Sequence, residues 1–85
     1  MRHAPSMTGF RVFEAVCRHG SLSAAAQELC VTPAAISHRL RELEARCGIP
    51  LVHRVDGRFV ATETGRQITE ALGDAFQRIR IADDL

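Results

Sequence analysis

The chain contains no lysine: all eleven of its basic residues are arginine, set against ten acids for a net charge of +1. So even a balance excludes a protein that grips polyanions by bulk charge. No apolar run approaches the roughly 20 residues that span a bilayer. Residues 1–6 lack the charged-then-apolar layout of an export signal, which leads us to expect a cytoplasmic protein with no membrane partner. The three cysteines are an odd count, without the close paired spacing of a zinc or redox motif. Cys17, Cys30 and Cys47 therefore read as core thiols, each in or beside an apolar helical stripe. No metal ligand or cofactor is expected. There is no glycine-rich phosphate loop, and the chain is too short to enclose a substrate, so no catalytic residue is assigned and an enzyme is not expected.

What is present is a small, helix-rich domain. At 85 residues and 46% hydrophobic composition, the chain is long enough for one core that buries only about 60–65% of its unfolded surface. A partner subunit would add to that thin margin. The charge is uneven: residues 1–66 hold nine arginines and six acids, while residues 67–85 hold two arginines and four acids. The globular part is positive and the tail negative.

Hydrophobic spacing and punctuation divide the chain into four helices and a hairpin. Ser6 is placed to cap a first helix through His19, with Met7, Phe10, Phe13, Val16 and Cys17 as its apolar set and Gly20 as its stop. Ser21 or Ser23 caps a short second helix in which Ala25 and Ala26 permit close approach. Cys30 and Val31 form the turn into a third helix, capped by Thr32, opened by Pro33 and ended by Gly48. Two helices joined by so short a turn make a helix-turn-helix. Leu51 to Arg54 and Arg58 to Ala61, around Val55, Asp56 and Gly57, read as a hairpin wing carrying His53, Arg54 and Arg58 near its tip. Thr62 caps the last helix.

The third and last helices carry the function. Ile36, Leu40, Leu43 and Cys47 form one apolar stripe, which leaves Ala34, Ser37, His38 and Arg41 on the opposite face. Compact and hydrogen-bonding side chains suit a helix lying against base edges in a major groove. A solvated surface helix is the plainer alternative for that segment taken alone. In the last helix Gly65, Ile68, Leu72, Ala75, Ile79 and Ala82 repeat as a heptad seam, widened by Ala71 and Phe76. Such a seam packs on its own domain or on a second copy; its regularity favours the second copy.

Taken together, Ser21-Leu22-Ser23, Ala25-Ala26, Leu29-Cys30-Val31-Thr32, Ala35-Ile36-Ser37, Leu43-Glu44, Gly48-Ile49-Pro50-Leu51, Arg54 and Thr62-Glu63-Thr64-Gly65 resemble the N-terminal DNA-binding domain of LysR-type transcriptional regulators. Glu28 to Thr32 with Ala34 to His38 is most similar to the AmpR- and GcvA-like branch. The resemblance implies a mainly α winged helix-turn-helix, with a three-helix core and a small β-hairpin wing, followed by a long linker helix. It divides the chain into a DNA-binding domain, 1–61, and a dimerisation helix, 62–85. It implies sequence-specific binding of double-stranded DNA, as a homodimer on a pseudo-palindromic promoter site. The rival reading is a winged-helix protein-interaction module, whose outward face should be more apolar.

On that basis Ala34, Ser37, His38 and Arg41 are the expected base contacts. Ser23, Thr32, Pro33, Arg39, Arg54 and Arg58 are the expected phosphate contacts, and Ile68, Leu72, Ala75, Phe76 and Ile79 the dimer interface. The chain departs from the family in having Pro33 where glutamine is frequent, His38 where arginine is, Ala24 where a basic residue often follows the second cap, and Arg39 in place of glutamine. Base readout is expected to differ accordingly. Relatives continue into an effector domain, so a small-molecule effector is expected only if such a domain follows.

Overall fold

The computed structural model describes residues 7–84. In chain order it holds α1 (Met7–His19), α2 (Leu22–Leu29), α3 (Pro33–Cys47), β1 (Val52–Val55), β2 (Arg58–Ala61) and α4 (Glu63–Asp84). This is the winged helix-turn-helix the sequence leads one to expect. Ser6, the expected cap of α1, lies outside the described residues.

Each helix boundary has a local cause. Gly20 takes a φ of +71° and ends α1, its amide bonding the Val16 carbonyl at 2.7 Å. Of the two candidate serines, Ser21 caps α2, its hydroxyl accepting from the Ala24 N–H at 3.2 Å. Thr32 repeats the arrangement ahead of Pro33, accepting from the Ala35 N–H at 3.1 Å. Each such cap contributes on the order of 1 kcal/mol. Gly48, with a φ of +79°, closes α3.

Cys30 corrects an expectation. It is an exposed residue in the left-handed conformation, φ 60° and ψ 42°, ending α2. The turn between the two helices demands a positive φ there, a conformation that costs glycine little and a side-chain-bearing residue more. Cysteine at this site is a turn residue and not a core thiol. Cys17 and Cys47 are half-buried. Burial, reinforced by the charge of Glu14, pushes the Cys17 thiol up to about 11, so it stays protonated and unreactive at neutral pH.

α1, α2 and α3 pack around Phe13, Val16, Ile36 and Leu51, the largest fully buried side chains, with Ala25 and Ala26 bringing α2 close. Full burial of each large side chain contributes roughly 1.5–3 kcal/mol. Ile36, Leu40 and Leu43 form the buried stripe of α3. Met7, expected in the apolar set of α1, is instead exposed in the first described turn.

β1 and β2 are antiparallel, with Val52 opposite Ala61 and Val55 opposite Arg58. Asp56 and Gly57 alone form the loop, with φ of 52° and 80°. A two-residue loop with both φ positive matches the right-handed twist of the strands. The wing is tied to the α1–α2 corner where the Phe59 N–H meets the Gly20 carbonyl at 3.0 Å.

Thr62 caps α4, accepting from the Gly65 N–H at 3.1 Å and donating to the Pro50 carbonyl at 2.9 Å. Gly65 is buried, and a Cβ there would collide with the Leu51 carbonyl oxygen. Its place in the heptad seam therefore serves a close approach inside the domain. Phe76 is also buried within the chain, and Ile68 packs against the core. Leu72 and Ile79 are half-buried, while Ala71, Ala75 and Ala82 are exposed. Among the described residues, no helix is long and apolar enough to cross a membrane.

Candidate nucleic-acid interface

The outward side of α3 presents Ala34, His38 and Arg41 exposed and Ser37 half-buried. All four therefore lie off the core, as their spacing opposite Ile36, Leu40 and Leu43 requires. Arg41 donates from Nη1 to the Ser37 hydroxyl oxygen at 2.9 Å, one turn back along the helix. That bond orients the guanidinium while leaving it its full charge and further N–H groups.

Glu42 is a neighbour that the sequence reading does not single out. Its carboxylate lies 3.6 Å from His38 Nε2 and 3.9 Å from Arg39 Nη1. Glu42 thus places an acid among the basic residues of α3, with His38 and Arg39 before it and Arg46 one turn after it. Helical spacing could have found it, since residues three and four apart share a face.

The expected phosphate-contacting residues surround this face in distinct states. Ser23 is exposed on α2, left free of the capping role that Ser21 fills. Thr32 and Pro33 are exposed at the α3 N-terminus, with the Thr32 oxygen committed as an acceptor and its O–H still able to donate. Arg39 is exposed beside Glu42. Arg54 lies with its guanidinium carbon 4.5 Å from the centroid of the Phe59 ring, directly across the strand pair. Arg58 donates from Nη2 to the His19 carbonyl at 3.2 Å and covers Gly20, where a Cβ would displace it.

The partners of Arg41, Arg54 and Arg58 are a hydroxyl, an aromatic ring and a carbonyl, none of which cancels a positive charge. Between α1, α2 and α4, by contrast, arginines meet carboxylates. Arg18 bonds Glu14 and Glu28 at 2.9 and 2.7 Å, and His19 lies 2.6 Å from the other Glu28 oxygen. The Arg18 guanidinium, with help from His19, holds the Glu28 carboxyl down to about 2. Arg80 reaches from α4 to within 2.9 Å of Glu14 at an angle that makes an ion pair without a hydrogen bond, and Arg11 bonds Asp83 at 2.6 Å. These contacts lay the distal half of α4 along α1.

A second acid outside the expected site residues, Glu44, joins α3 to the wing. One of its oxygens accepts from the Leu51 N–H at 2.6 Å and the Val52 N–H at 3.2 Å. Leu43-Glu44 belongs to the family resemblance, but no local pattern announces these bonds, because the partners lie beyond the Gly48–Pro50 turn. Among the described residues, no three His, Cys, Asp or Glu side chains group in a way that could hold a metal ion.

Comparison with known proteins agrees with this architecture. The chain is 43% identical over 77 residues to the HTH-type transcriptional activator AmpR of Pseudomonas aeruginosa, covering 91% of this chain and 26% of that protein. It is 35% identical over 78 residues to the glycine cleavage system transcriptional activator of Escherichia coli K12, covering 92% and 26%. The chain thus spans about a quarter of the length of these curated relatives. A solved BenM DNA-binding domain, in complex with a catB site 1 DNA, shares the fold with a TM-score of 0.78 at 23% identity, over 93% of this chain and 85% of that one. Residues 7–66 match the family described as bacterial regulatory helix-turn-helix protein, lysR family. With that match running from the start of α1 into α4, the chain belongs to the lysR family of bacterial regulatory helix-turn-helix proteins.

Proposed function

We propose that this chain is the DNA-binding part of a LysR-type transcriptional regulator, acting in the bacterial cytoplasm on the nucleoid and binding double-stranded DNA sequence-specifically. The observation that carries the reading is the set of charge-retaining arginines, Arg41, Arg54 and Arg58, on α3 and the wing. α3 enters the major groove, where Ala34 touches a thymine methyl, Ser37 donates or accepts, and His38 and Arg41 reach acceptor edges such as guanine. Ser23, Thr32, Pro33, Arg39, Arg54 and Arg58 align the domain on the phosphates, with the wing over the backbone or minor groove.

Residues 1–61 read the duplex and residues 62–85 join two copies. Phe76 is spent inside the protomer, so the outward part of the seam, Leu72, Ala75 and Ile79, supplies most of the surface for a partner α4. Coupling two domains makes the second contact effectively intramolecular and sets half-sites about 34 Å apart or a multiple of it. A small-molecule effector enters only if a further domain accompanies this chain, which spans about a quarter of the length of its curated relatives.

Selection of bound duplexes from a random DNA pool tests the whole reading, and two related half-sites at helical-turn spacing are expected. A titration with mixed-sequence duplex at low salt tests its core. Affinity should fall with salt at a slope of about −0.9 per phosphate neutralised. Absence of any salt-dependent binding overturns the assignment.

A further inference from the structure

Glu44 is half-buried near the C-terminal end of α3, and among the described residues no ion pair to its carboxylate is seen. Its acceptor oxygen is instead occupied by two consecutive backbone amides, Leu51 and Val52, at the entrance to β1. The same short segment is clasped from the other end. The Leu51 carbonyl accepts from the Thr62 N–H at 3.0 Å and the Pro50 carbonyl from the Thr62 hydroxyl at 2.9 Å. The Leu51 side chain is fully buried, and Gly65 packs directly under the Leu51 carbonyl. β2 is held to the α1–α2 corner by its own bond from Phe59 to Gly20. The Glu44 bonds form a polar link between α3 and β1, the strand that carries Arg54.

From this geometry we infer that Glu44 is a positioning residue: it sets the wing in register with α3, so that the wing arginines and the α3 face engage one duplex together. The inference rests on the DNA-binding reading above. A carboxylate accepting two amide protons makes charge-assisted bonds, roughly twice as strong as neutral ones. A rigid brace also lowers the ordering cost of the second contact once the first has formed. Its loss should affect the phosphates touched by the wing, and not the bases read by α3.

The test uses the 85-residue chain with three substitutions, hydroxyl-radical footprints on a selected duplex, and salt titrations. Glu44→Gln keeps an oxygen of the right reach without charge, Glu44→Asp keeps charge but is one methylene too short, and Glu44→Ala keeps neither. We expect the Gln variant to retain the wild-type footprint and salt slope. The Asp and Ala variants should lose wing-side protection, with the slope falling by about 0.9 for each phosphate contact released, while base preference in the pool selection is unchanged. A wild-type slope and footprint in Glu44→Asp overturns the inference, as does a Gln variant as defective as the Asp variant, or altered base preference at an unaltered slope. If Glu44→Ala does not fold, the Asp and Gln pair decides. Failure of the wild-type chain to bind DNA sinks the functional reading itself, whereas wild-type binding with indifferent variants sinks only the role of Glu44.

Discussion

The arginines in two regions of this molecule are chemically the same residue put to opposite uses. On the α1–α2–α4 side, Arg11, Arg18 and Arg80 each face a carboxylate, and along α4 Arg66 lies between Glu63 and Glu70. Around α3 and the wing, Arg41, Arg54 and Arg58 are oriented by neutral groups. In the first set Arg11, Arg18 and Arg80 join elements together, Arg66 pairs within α4, and each has its charge offset by an acid. The second keeps its charge and projects it outward. Net charge alone, at +1, conceals this division, because what a polyanion meets is the local field and not the sum. Arg39, 3.9 Å from Glu42, stands between the two cases.

Substitutions on each side should therefore separate cleanly. The largest effect is expected at Phe76, which seats the distal half of α4. Phe76→Ala should cost about 3–5 kcal/mol of folding stability, measured by chemical denaturation. A near-zero change would mean that α4 does not rest on its own domain. Next comes Arg41→Ala, which should weaken binding to a selected duplex by about 1–3 kcal/mol and relax preference at one base position. Its melting temperature should stay within about 2–4 °C of wild type, as for a surface substitution away from the core; a larger drop would place Arg41 among the structural arginines. Arg54→Ala should weaken binding to all sequences alike and reduce the salt slope by about 0.9, and a changed base preference would contradict a phosphate role.

The smallest effect concerns acid stability. Glu28 is held down to about 2, chiefly by Arg18, from an ordinary value of 4.5. Its contribution is therefore complete above about pH 4.5 and is lost as pH falls toward 2. The pair is partly exposed, with about a third of the Arg18 side chain open to solvent, so solvent screening limits the contribution to about 1 kcal/mol. Glu28→Gln should flatten the decline in stability across that interval, and an unchanged acid limb would show that the ion pair contributes nothing.

Most of the element order is legible in the chain because its signals are local. Thr32-Pro33, Gly48 and Thr62 act within one helical turn, and Asp56-Gly57 suits a loop whose two residues both take positive φ. The outward position of Ala34, Ser37, His38 and Arg41 follows from helical periodicity alone. Cys30 departs from the core position its hydrophobic character suggests, because that character says nothing about φ, which the turn dictates. Gly65 fits a seam by spacing yet lies inside the domain, because periodicity cannot distinguish a residue facing a partner from one pressed against its own backbone.

Sequence by itself determined the helices, the Thr32 and Thr62 caps, the wing and the side of α3 that turns away from the core, since each depends on residues within a few positions of one another. Only the tertiary structure decided which arginines keep their charge, how Glu44 ties α3 to β1, and that Phe76 is consumed inside the protomer. Those outcomes depend on groups distant in sequence meeting within hydrogen-bonding or van der Waals range, and a one-dimensional pattern carries no such distances.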